Sequence, residues 1–453
     1  MIAGRVERAL QCTRGSTWTH LKEFRDGQWL DPATSRVDQK RRLSALLEHA
    51  ARHVPYYREI LTDSGVWEAP GRVVLERFAD LPLLDKATIR SRYEDLKSAD
   101  LASREWHLNA TGGSTGEPLV VIQDRAFTDW GRAMRLSVDD IIGRRPGERR
   151  LVIWGSKHDL EKARETLRAR LTRQMRGQVS LNSFRLRAEL VPRYVDFMNE
   201  YRPQHIIGYV ESLEMLAKSI EADCLSVHSP RTMTTAAGTL QTHTRELLSR
   251  VFRSDVFNYY GTREVAWIAT ECDRHGGLHV PLQSMYLEVL REDGTPANPG
   301  EVGRLVVTSL VNYAFPLIRY VIGDLGAWAE KPCTCGRVWP VLREVTGRIS
   351  DTFVKADGTL VAGHYFNYIA FLQDWVQQFQ VVQEAVGQLR VRIVVRQDAR
   401  DLDAKKAAGM AEIRGLVDLA IGEDCAVSFE FVDDIEPTAT GKFRYTVSKV
   451  HSA

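Results

Sequence analysis

The 453-residue sequence has only six cysteines and almost no excess of charge, with 61 Lys plus Arg against 59 Asp plus Glu. It also lacks any run near the roughly 20 apolar residues needed to span a bilayer as a helix. Sparse cysteine excludes a disulfide-built fold. The missing apolar run excludes a helical membrane protein. Met1 to Cys12 has no apolar centre of the kind a secretion signal carries, so a cytoplasmic location with reduced thiols is expected. Balanced charge argues against a dedicated nucleic-acid partner, and 44% hydrophobic residues argue against disorder. No internal repeat or low-complexity tract is present, which removes solenoids and long linkers. The length allows two or three domains.

What is present reads as α/β. The first hundred residues are mainly helical in pattern, with an amphipathic stretch from Leu43 to Leu61 that is expected to stop near Pro55. Thereafter short apolar runs alternate with helical periods, as in a mostly parallel layered structure. Strands are predicted at Leu151 to Trp154, His205 to Tyr209 and Arg231 to Ala237. Helices are predicted at His158 to Met175, Glu211 to Ile220 and Thr242 to Phe252. From Ser284 the strands crowd together, at Met285 to Leu290, Arg304 to Leu310 and Leu317 to Val321, which predicts a separate β-rich lobe. Beyond Gly347 the pattern restarts with strands at Thr352 to Val354, Leu389 to Val395 and Val427 to Val432 and a helix over Ala404 to Ala420. A large multi-layer body over 1–347 and a small α+β domain over 348–453 are therefore expected.

Five segments carry chemistry. In Asn109-Ala110-Thr111-Gly112-Gly113-Ser114-Thr115-Gly116-Glu117-Pro118, the glycines let the backbone turn with its N–H groups exposed, and three hydroxyls add donors. That combination suits a polyphosphate, although the Lys-Ser/Thr ending of a Walker loop is absent and a plain turn has similar composition. Asn258-Tyr259-Tyr260-Gly261-Thr262-Arg263-Glu264 puts an acid beside a glycine turn, an arrangement that holds Mg²⁺ or remains a surface carboxylate, with Tyr available to stack on a base. Arg319 to Asp324 sets Asp324 after a strand and a glycine, where it can accept ribose hydroxyls. Thr346 to Asp351 falls at the domain boundary, and Pro437 to Arg444 lies near the C-terminus.

In this order the five segments resemble the adenylate-forming superfamily of acyl-CoA synthetases, luciferases and peptide-synthetase adenylation domains. Val54-Pro55-Tyr56-Tyr57-Arg58, Leu81-Pro82-Leu83-Leu84-Asp85-Lys86, the Gly/Ser/Thr loop ending in Glu-Pro, and Tyr-Gly-Thr-Arg-Glu are similar to the branch of phenylacetate–CoA ligases and capsule-biosynthesis proteins. The resemblance runs from about Leu43 to Lys442. It implies a two-step reaction. A carboxylate attacks the α-phosphate of ATP to give an acyl-adenylate and pyrophosphate, and a nucleophile then takes the acyl group. By motif, Thr111, Gly112, Gly113, Ser114, Thr115 and Gly116 would hold the β- and γ-phosphates, and Glu264 would coordinate Mg²⁺. Arg263 would meet the α-phosphate as a second cation. Asp324 would bind the ribose hydroxyls with help from Arg348, and Lys442 would bridge carboxylate and α-phosphate oxygens during adenylation. Tyr260, in the turn with Gly261 and Thr262, would lie beside adenine, with Ala237, Gly238 and Thr239 lining its pocket. The C-terminal domain is expected to be mobile, swinging at Ser350 between half-reactions.

By the same resemblance Gly155, Ser156, Gly208, Tyr209 and Trp267 fall on segments that line the acyl pocket, where Tyr209 and Trp267 favour an aromatic acid; core aromatics are the equal alternative for both. Cys272, His279, Cys333 and Cys335 make a Cys3His set of the type structural zinc takes. His275 is the alternative imidazole, and reduced buried cysteines are the plainer reading. Similar Cys and His patterns occur in that branch. Cys12, Cys224 and Cys425 stand alone and read as small buried hydrophobes. Basic residues crowd Lys157 to Arg187, as a solvated helix face or as a docking surface for CoA phosphates or an acidic carrier protein. The expectation is an ATP- and Mg²⁺-dependent ligase that makes an acyl-AMP from an aromatic carboxylic acid and passes it to coenzyme A. A carrier-protein thiol or an amine is the alternative acceptor.

Overall fold

The computed structural model describes residues 16–68, 71–110, 119–154, 177–182, 190–348, 352–356, 360–362, 375–396, 402–436 and 444–450. The chain divides into two compact units, Met1–Ile322 with Gly326–Val345, and Thr346–Ala453 with Gly323–Leu325.

The larger unit opens with helices α1 (Thr17–Gly27), α2 (Pro32–His53) and α3 (Pro55–Asp63). Asp31 caps α2 by accepting from the Ala33 and Thr34 amides at 3.1 and 2.9 Å, with Pro32 preset for the first turn. Pro55 does what its chemistry dictates: α2 ends at His53, and the proline starts α3 rather than merely closing the helix before it. A short hairpin of β1 (Trp67–Glu68) and β2 (Arg72–Val73) and the helix α4 (Lys86–Ser91) lead to the antiparallel pair β3 (Trp106–Ala110) and β4 (Val120–Asp124). Asp124 then caps α5 (Arg125–Ile141) through the Phe127 amide, 2.8 Å away. That helix buries Phe127, Trp130, Ala133, Met134 and Val138, each side chain stabilising the fold by about 1.5–3 kcal/mol where it is large and apolar.

The centre of this unit is a parallel array: β5 (Arg150–Trp154), β6 (Gln178–Asn182), β7 (His205–Tyr209), β8 (Thr232–Ala236) and β9 (Asp255–Thr262). Helices α6 (Val191–Tyr201), α7 (Val210–Ala222) and α8 (Thr242–Phe252) intervene along the chain. Further strands continue the same sheet, antiparallel in the pairs β9–β10, β10–β11, β11–β15 and β12–β13: β10 (Ala266–Glu271), β11 (Leu278–His279), β12 (Met285–Leu290), β13 (Gly303–Ser309), β14 (Tyr320–Trp328) and β15 (Val341–Arg348). The order across all eleven is β12-β13-β14-β15-β11-β10-β9-β8-β7-β5-β6. The crowded strands after Ser284 therefore form one end of a common sheet instead of a separate lobe. β10 folds back on β9, and that hairpin carries the ladder across. The predicted strand Leu317 to Val321 is displaced, because Arg319 takes a left-handed backbone (φ 49°) and β14 begins only at Tyr320. Cys224 also departs from expectation. It is exposed, with φ 51°, just past the end of α7, whereas Cys425 is buried.

The smaller unit packs β18 (Val376–Ala385), β19 (Gln388–Val395), β20 (Ala426–Phe431) and β21 (Thr446–Ser448) in the order β20-β19-β18-β21, with α9 (Leu402–Ala420) alongside and a separate pair β16 (Thr352–Val354) and β17 (Leu360–Ala362). Its core contains Phe353, Trp375, Phe379, Val391, Ile393, Ile413 and Val417. Buried Gln383 ties β16 to the sheet, accepting from the Val354 amide at 2.9 Å and donating to the Val354 carbonyl at 2.7 Å. Lys442 lies outside the described residues, but both flanks of its segment are tied to β18. The Ile435 amide donates to Gln378 Oε1 at 3.2 Å, and Gln380 Nε2 donates to the Arg444 carbonyl at 2.9 Å.

Candidate active site

The parallel strands share one register row, Ile153–Gly208–Thr235–Asn258. Residues just past it form the rim at the strands' carboxyl ends, where open α/β sheets bind ligands. Trp154, Tyr209, Ala236 with Ala237, and Tyr259 with Tyr260 follow one another along that rim. Trp154 stacks obliquely on Tyr209, ring centres 4.3 Å apart, and Tyr259 on Trp267 at 4.0 Å. Burial raises the Tyr259 phenol above its ordinary range, and the Tyr209 phenol adds to the shift. A side chain at Gly208 would press on Leu213 and on the Ile153 carbonyl, which would be 3.1 Å from its Cβ. Ala237 has φ 65°, a backbone that costs a non-glycine residue of order 1 kcal/mol and turns the chain out of β8.

The β9–β10 hairpin brings the acid into place. Gly261 pairs with Trp267, and a Cβ on it would sit 2.4 Å from the Ala266 carbonyl oxygen, so only glycine fits so close a backbone crossing. The turn that follows holds Arg263, half-buried, and Glu264, buried at 5% exposure. The Tyr320 hydroxyl donates to Glu264 Oε1 at 2.9 Å. The same turn is bound to the strand pair that leads into and out of the Gly/Ser/Thr segment. Gln123 Nε2 and Asn109 Nδ2 both donate to the Arg263 carbonyl, at 2.7 and 3.2 Å, and the Arg263 guanidinium donates to the Ala110 carbonyl at 3.4 Å. Asp324 lies on β14, buried, and Arg348 is the last residue of β15.

A second cluster sits at the other end of the hairpin. Cys272 follows β10, His279 lies on β11 opposite both Thr270 and Val341, and Cys333 and Cys335 lie in the turn between β14 and β15. Adjacent strands thus gather residues that the sequence separates. Their four ligand atoms lie within 4.8 Å of one another. Tetrahedral zinc with bonds of about 2.3 Å to sulfur and about 2.0 Å to nitrogen sets S–S edges of about 3.8 Å and S–N edges of about 3.5 Å. Cys272 to Cys333 is 3.6 Å and Cys335 to His279 is 3.5 Å, so the donor set fits such an ion. Backbone amides of Arg274 and Arg337 donate to the sulfurs of Cys272 and Cys335, at 3.4 and 3.5 Å. Gly276 is needed here, since a Cβ would meet Cys333 Sγ at 2.8 Å. His275 is not in the cluster: it meets Glu271 at 3.4 Å and packs on Phe257. Arg337 links the cluster to the end of α1, donating to Gln28 Oε1 at 2.8 Å and lying over Trp29.

Comparison with known proteins agrees with this architecture. The CapK C-terminal domain family matches residues 353–449. Protein CapK of Staphylococcus aureus is 21% identical over 422 residues, spanning 91% of this chain and 89% of its own length. Phenylacetate-coenzyme A ligase of Thermus thermophilus is 24% identical over 369 residues, spanning 78% and 79%. This chain is similar to CapK and to the phenylacetate–CoA ligases. Its fold is that of solved acyl-CoA ligases. The solved 2-hydroxyisobutyryl-CoA ligase in its postadenylation state, with R3-HIB-AMP bound, superposes with a TM-score of 0.72 at 18% identity, covering 93% of this chain and 91% of that one.

Tyr260, Gly261 and Thr262 end β9 and Arg263 and Glu264 lie in the turn after it, while Gly208 and Tyr209 end β7 and Ala237 to Thr239 follow β8 in the same sheet. Trp267 packs on Tyr259. Thr111 to Gly116, Gly155, Ser156, Lys442 and Ser350 lie outside the described residues. Sequence reasoning passed over Gln123, Tyr320, Trp154 and Tyr259 as working residues. Gln123 follows the three apolar residues Val120 to Ile122 in β4, and that break ahead of the helix cap Asp124 was the only available signal.

Proposed function

We propose that this chain is an AMP-forming acid ligase that condenses an aromatic carboxylic acid with ATP and passes the acyl group to coenzyme A. The observation that carries the reading is the bond from Arg263 to Ala110. It joins the turn bearing Glu264 to the strand that enters the Gly/Ser/Thr segment, which supports a cation and a carboxylate acting on a polyphosphate there. Relatives named as phenylacetate-coenzyme A ligases support the reaction class. The aromatic rim of Trp154, Tyr209, Tyr259 and Trp267 supports a flat acid.

In this reading the acid lies against that rim and adenine beside Tyr260. Asp324 and Arg348 take the ribose, and Thr111 to Gly116 take the β- and γ-phosphates. Arg263 and Lys442 place fixed positive charge on the carboxylate and α-phosphate oxygens as the acyl-adenylate forms and pyrophosphate leaves, a task of positioning and charge neutralisation. Glu264 would hold Mg²⁺, which supplies further charge neutralisation on phosphate oxygens. Cys272, His279, Cys333 and Cys335 would hold a structural zinc that fixes the ends of β11, β14 and β15 and, through Arg337, the end of α1.

The acceptor is tested by forming the adenylate first and then adding coenzyme A, a phosphopantetheinylated carrier protein or amines. Rapid AMP release with coenzyme A supports the reading. Release only with a carrier thiol or an amine replaces the acceptor and leaves the adenylation step standing.

A further inference from the structure

A carboxylate on a short turn has free torsions, so its use as a ligand depends on what holds it. Two residues with no assigned role hold Glu264, one at its carboxylate and one at its backbone. Tyr320, fully buried, donates its hydroxyl to Glu264 Oε1 at 2.9 Å. Its own backbone is pinned by the Leu81 to Leu84 segment: the Leu84 amide donates to the Arg319 carbonyl and the Val321 amide to the Leu84 carbonyl, both at 2.9 Å. Arg319 fastens that segment in turn, donating to the Leu81 carbonyl at 2.6 Å and pairing with Glu288 at 3.1 Å.

Gln123, 3% exposed, holds the backbone of the turn. Its Nε2 donates to the carbonyls of Arg263 and Glu264, at 2.7 and 3.3 Å, while its Oε1 accepts from Asn109 Nδ2 at 3.1 Å. These partners fix which way the amide points, because two carbonyls require a donor and the Asn109 amide requires an acceptor. Asn109 closes the loop by donating to the Arg263 carbonyl as well and by accepting from the Ala110 amide at 3.0 Å. One side-chain pair thus ties the Glu264 turn to the last residues before Thr111.

We propose that Gln123 and Tyr320 are positioning residues for the cation ligand Glu264. Gln123 sets the height of the turn against the strand entering the phosphate-binding segment, and Tyr320 takes one carboxylate oxygen and so dedicates the other to the magnesium nucleotide. This rests on the reading of Glu264 as the Mg²⁺ ligand.

The test is pyrophosphate release by the full chain as a function of Mg²⁺ at saturating ATP and acid, in the wild type, Tyr320→Phe, Gln123→Met, Gln123→Glu and Glu264→Gln. Phe keeps the ring that fills the core, Met keeps the length of Gln, and Glu keeps the acceptor for Asn109 while losing the donor. Half-saturating Mg²⁺ is expected to rise about tenfold in Tyr320→Phe and in both Gln123 variants, the size of one lost hydrogen bond to a charged or buried group. The turnover at saturating Mg²⁺ is expected to stay within about threefold, since an interaction lost from binding alone leaves kcat unchanged. An unchanged Mg²⁺ requirement in Tyr320→Phe and Gln123→Glu, with a raised one in Glu264→Gln, overturns the positioning role and leaves the role of Glu264 intact. A wild-type Mg²⁺ requirement in Glu264→Gln overturns both. If Gln123→Met fails to fold, the Tyr320→Phe and Gln123→Glu pair decides.

Discussion

Arg263 and Ala110 are 153 residues apart in the chain, and the guanidinium of one donates to the carbonyl of the other at 3.4 Å. The contact holds the residue before Thr111 against the neighbour of Glu264. A planar guanidinium has a fixed fork of donors suited to carbonyl and phosphate oxygens, which a lysine ammonium on a flexible stem does not reproduce.

Arg263→Lys is therefore expected to lower the turnover of pyrophosphate release by about tenfold or more, the difference of roughly 1.4 kcal/mol or more in transition-state stabilisation. Steady-state kinetics at saturating ATP measure it. Activity within twofold of wild type would mean that only net charge matters at this position.

The Cys272, His279, Cys333 and Cys335 cluster makes a prediction about metal removal. Chain purified without chelator is expected to contain about one zinc per chain, bound through all four side chains. Cys272→Ser should lose the metal and destabilise the larger unit by about 4 kcal/mol, lowering the melting temperature by roughly 10 °C. Cys224→Ser, at an exposed site, serves as the control. Elemental analysis and thermal melts with and without chelator check both statements; metal-free protein with an unchanged melt would contradict them.

Acid should unfold the larger unit through His205 and Glu148. Burial holds His205 down, from 6.5 to about 4, although Glu148 at 2.9 Å pulls the other way and Arg150 and Arg144 reinforce the fall. Glu148 is held near 2: burial raises it, but the Arg145 amide, His205 and Arg231 outweigh burial. Both folded values lie below the unfolded ones, so the unfolded chain binds more protons and stability is lost as pH falls. The His205 contribution is present above pH 6.5 and disappears towards pH 4, at up to about 1.4 kcal/mol per pH unit; the Glu148 contribution follows between 4.5 and 2. Denaturant midpoints measured against pH should show this slope, and His205→Gln should flatten its upper part. Stability that rises from pH 6.5 to 5 would contradict the assignment.

Local chemistry in the sequence was enough to read α8 at Thr242–Phe252, β7 at His205–Tyr209 and β16 at Thr352–Val354 to the residue, from the helical period of the first and the short apolar runs of the other two. The motif order also pointed to the superfamily. What sequence could not supply was pairing at a distance. Nothing local says that β10 folds onto β9 and carries the antiparallel strands into the same sheet, or that Arg319 adopts a left-handed backbone and delays β14. The gathering of Cys272, His279, Cys333 and Cys335 was legible as a composition of ligands, whereas the choice of His279 over His275 depended on β11 lying between β10 and β15. Gln123 and Tyr320 escaped for the same reason, since their partners are 140 and 56 residues away.

The central claim is that this chain adenylates a carboxylic acid, and the most direct measurement is acid-dependent pyrophosphate release from ATP and Mg²⁺ without any acyl acceptor, across a panel of aromatic and aliphatic acids. The account predicts release with aromatic acids, AMP bound as the acyl-adenylate, and a fall of about 100-fold or more in Lys442→Ala with ATP binding retained, as for removal of a charge acting in the transition state. Pyrophosphate release that no acid stimulates, or cleavage of ATP to ADP and phosphate, would contradict it.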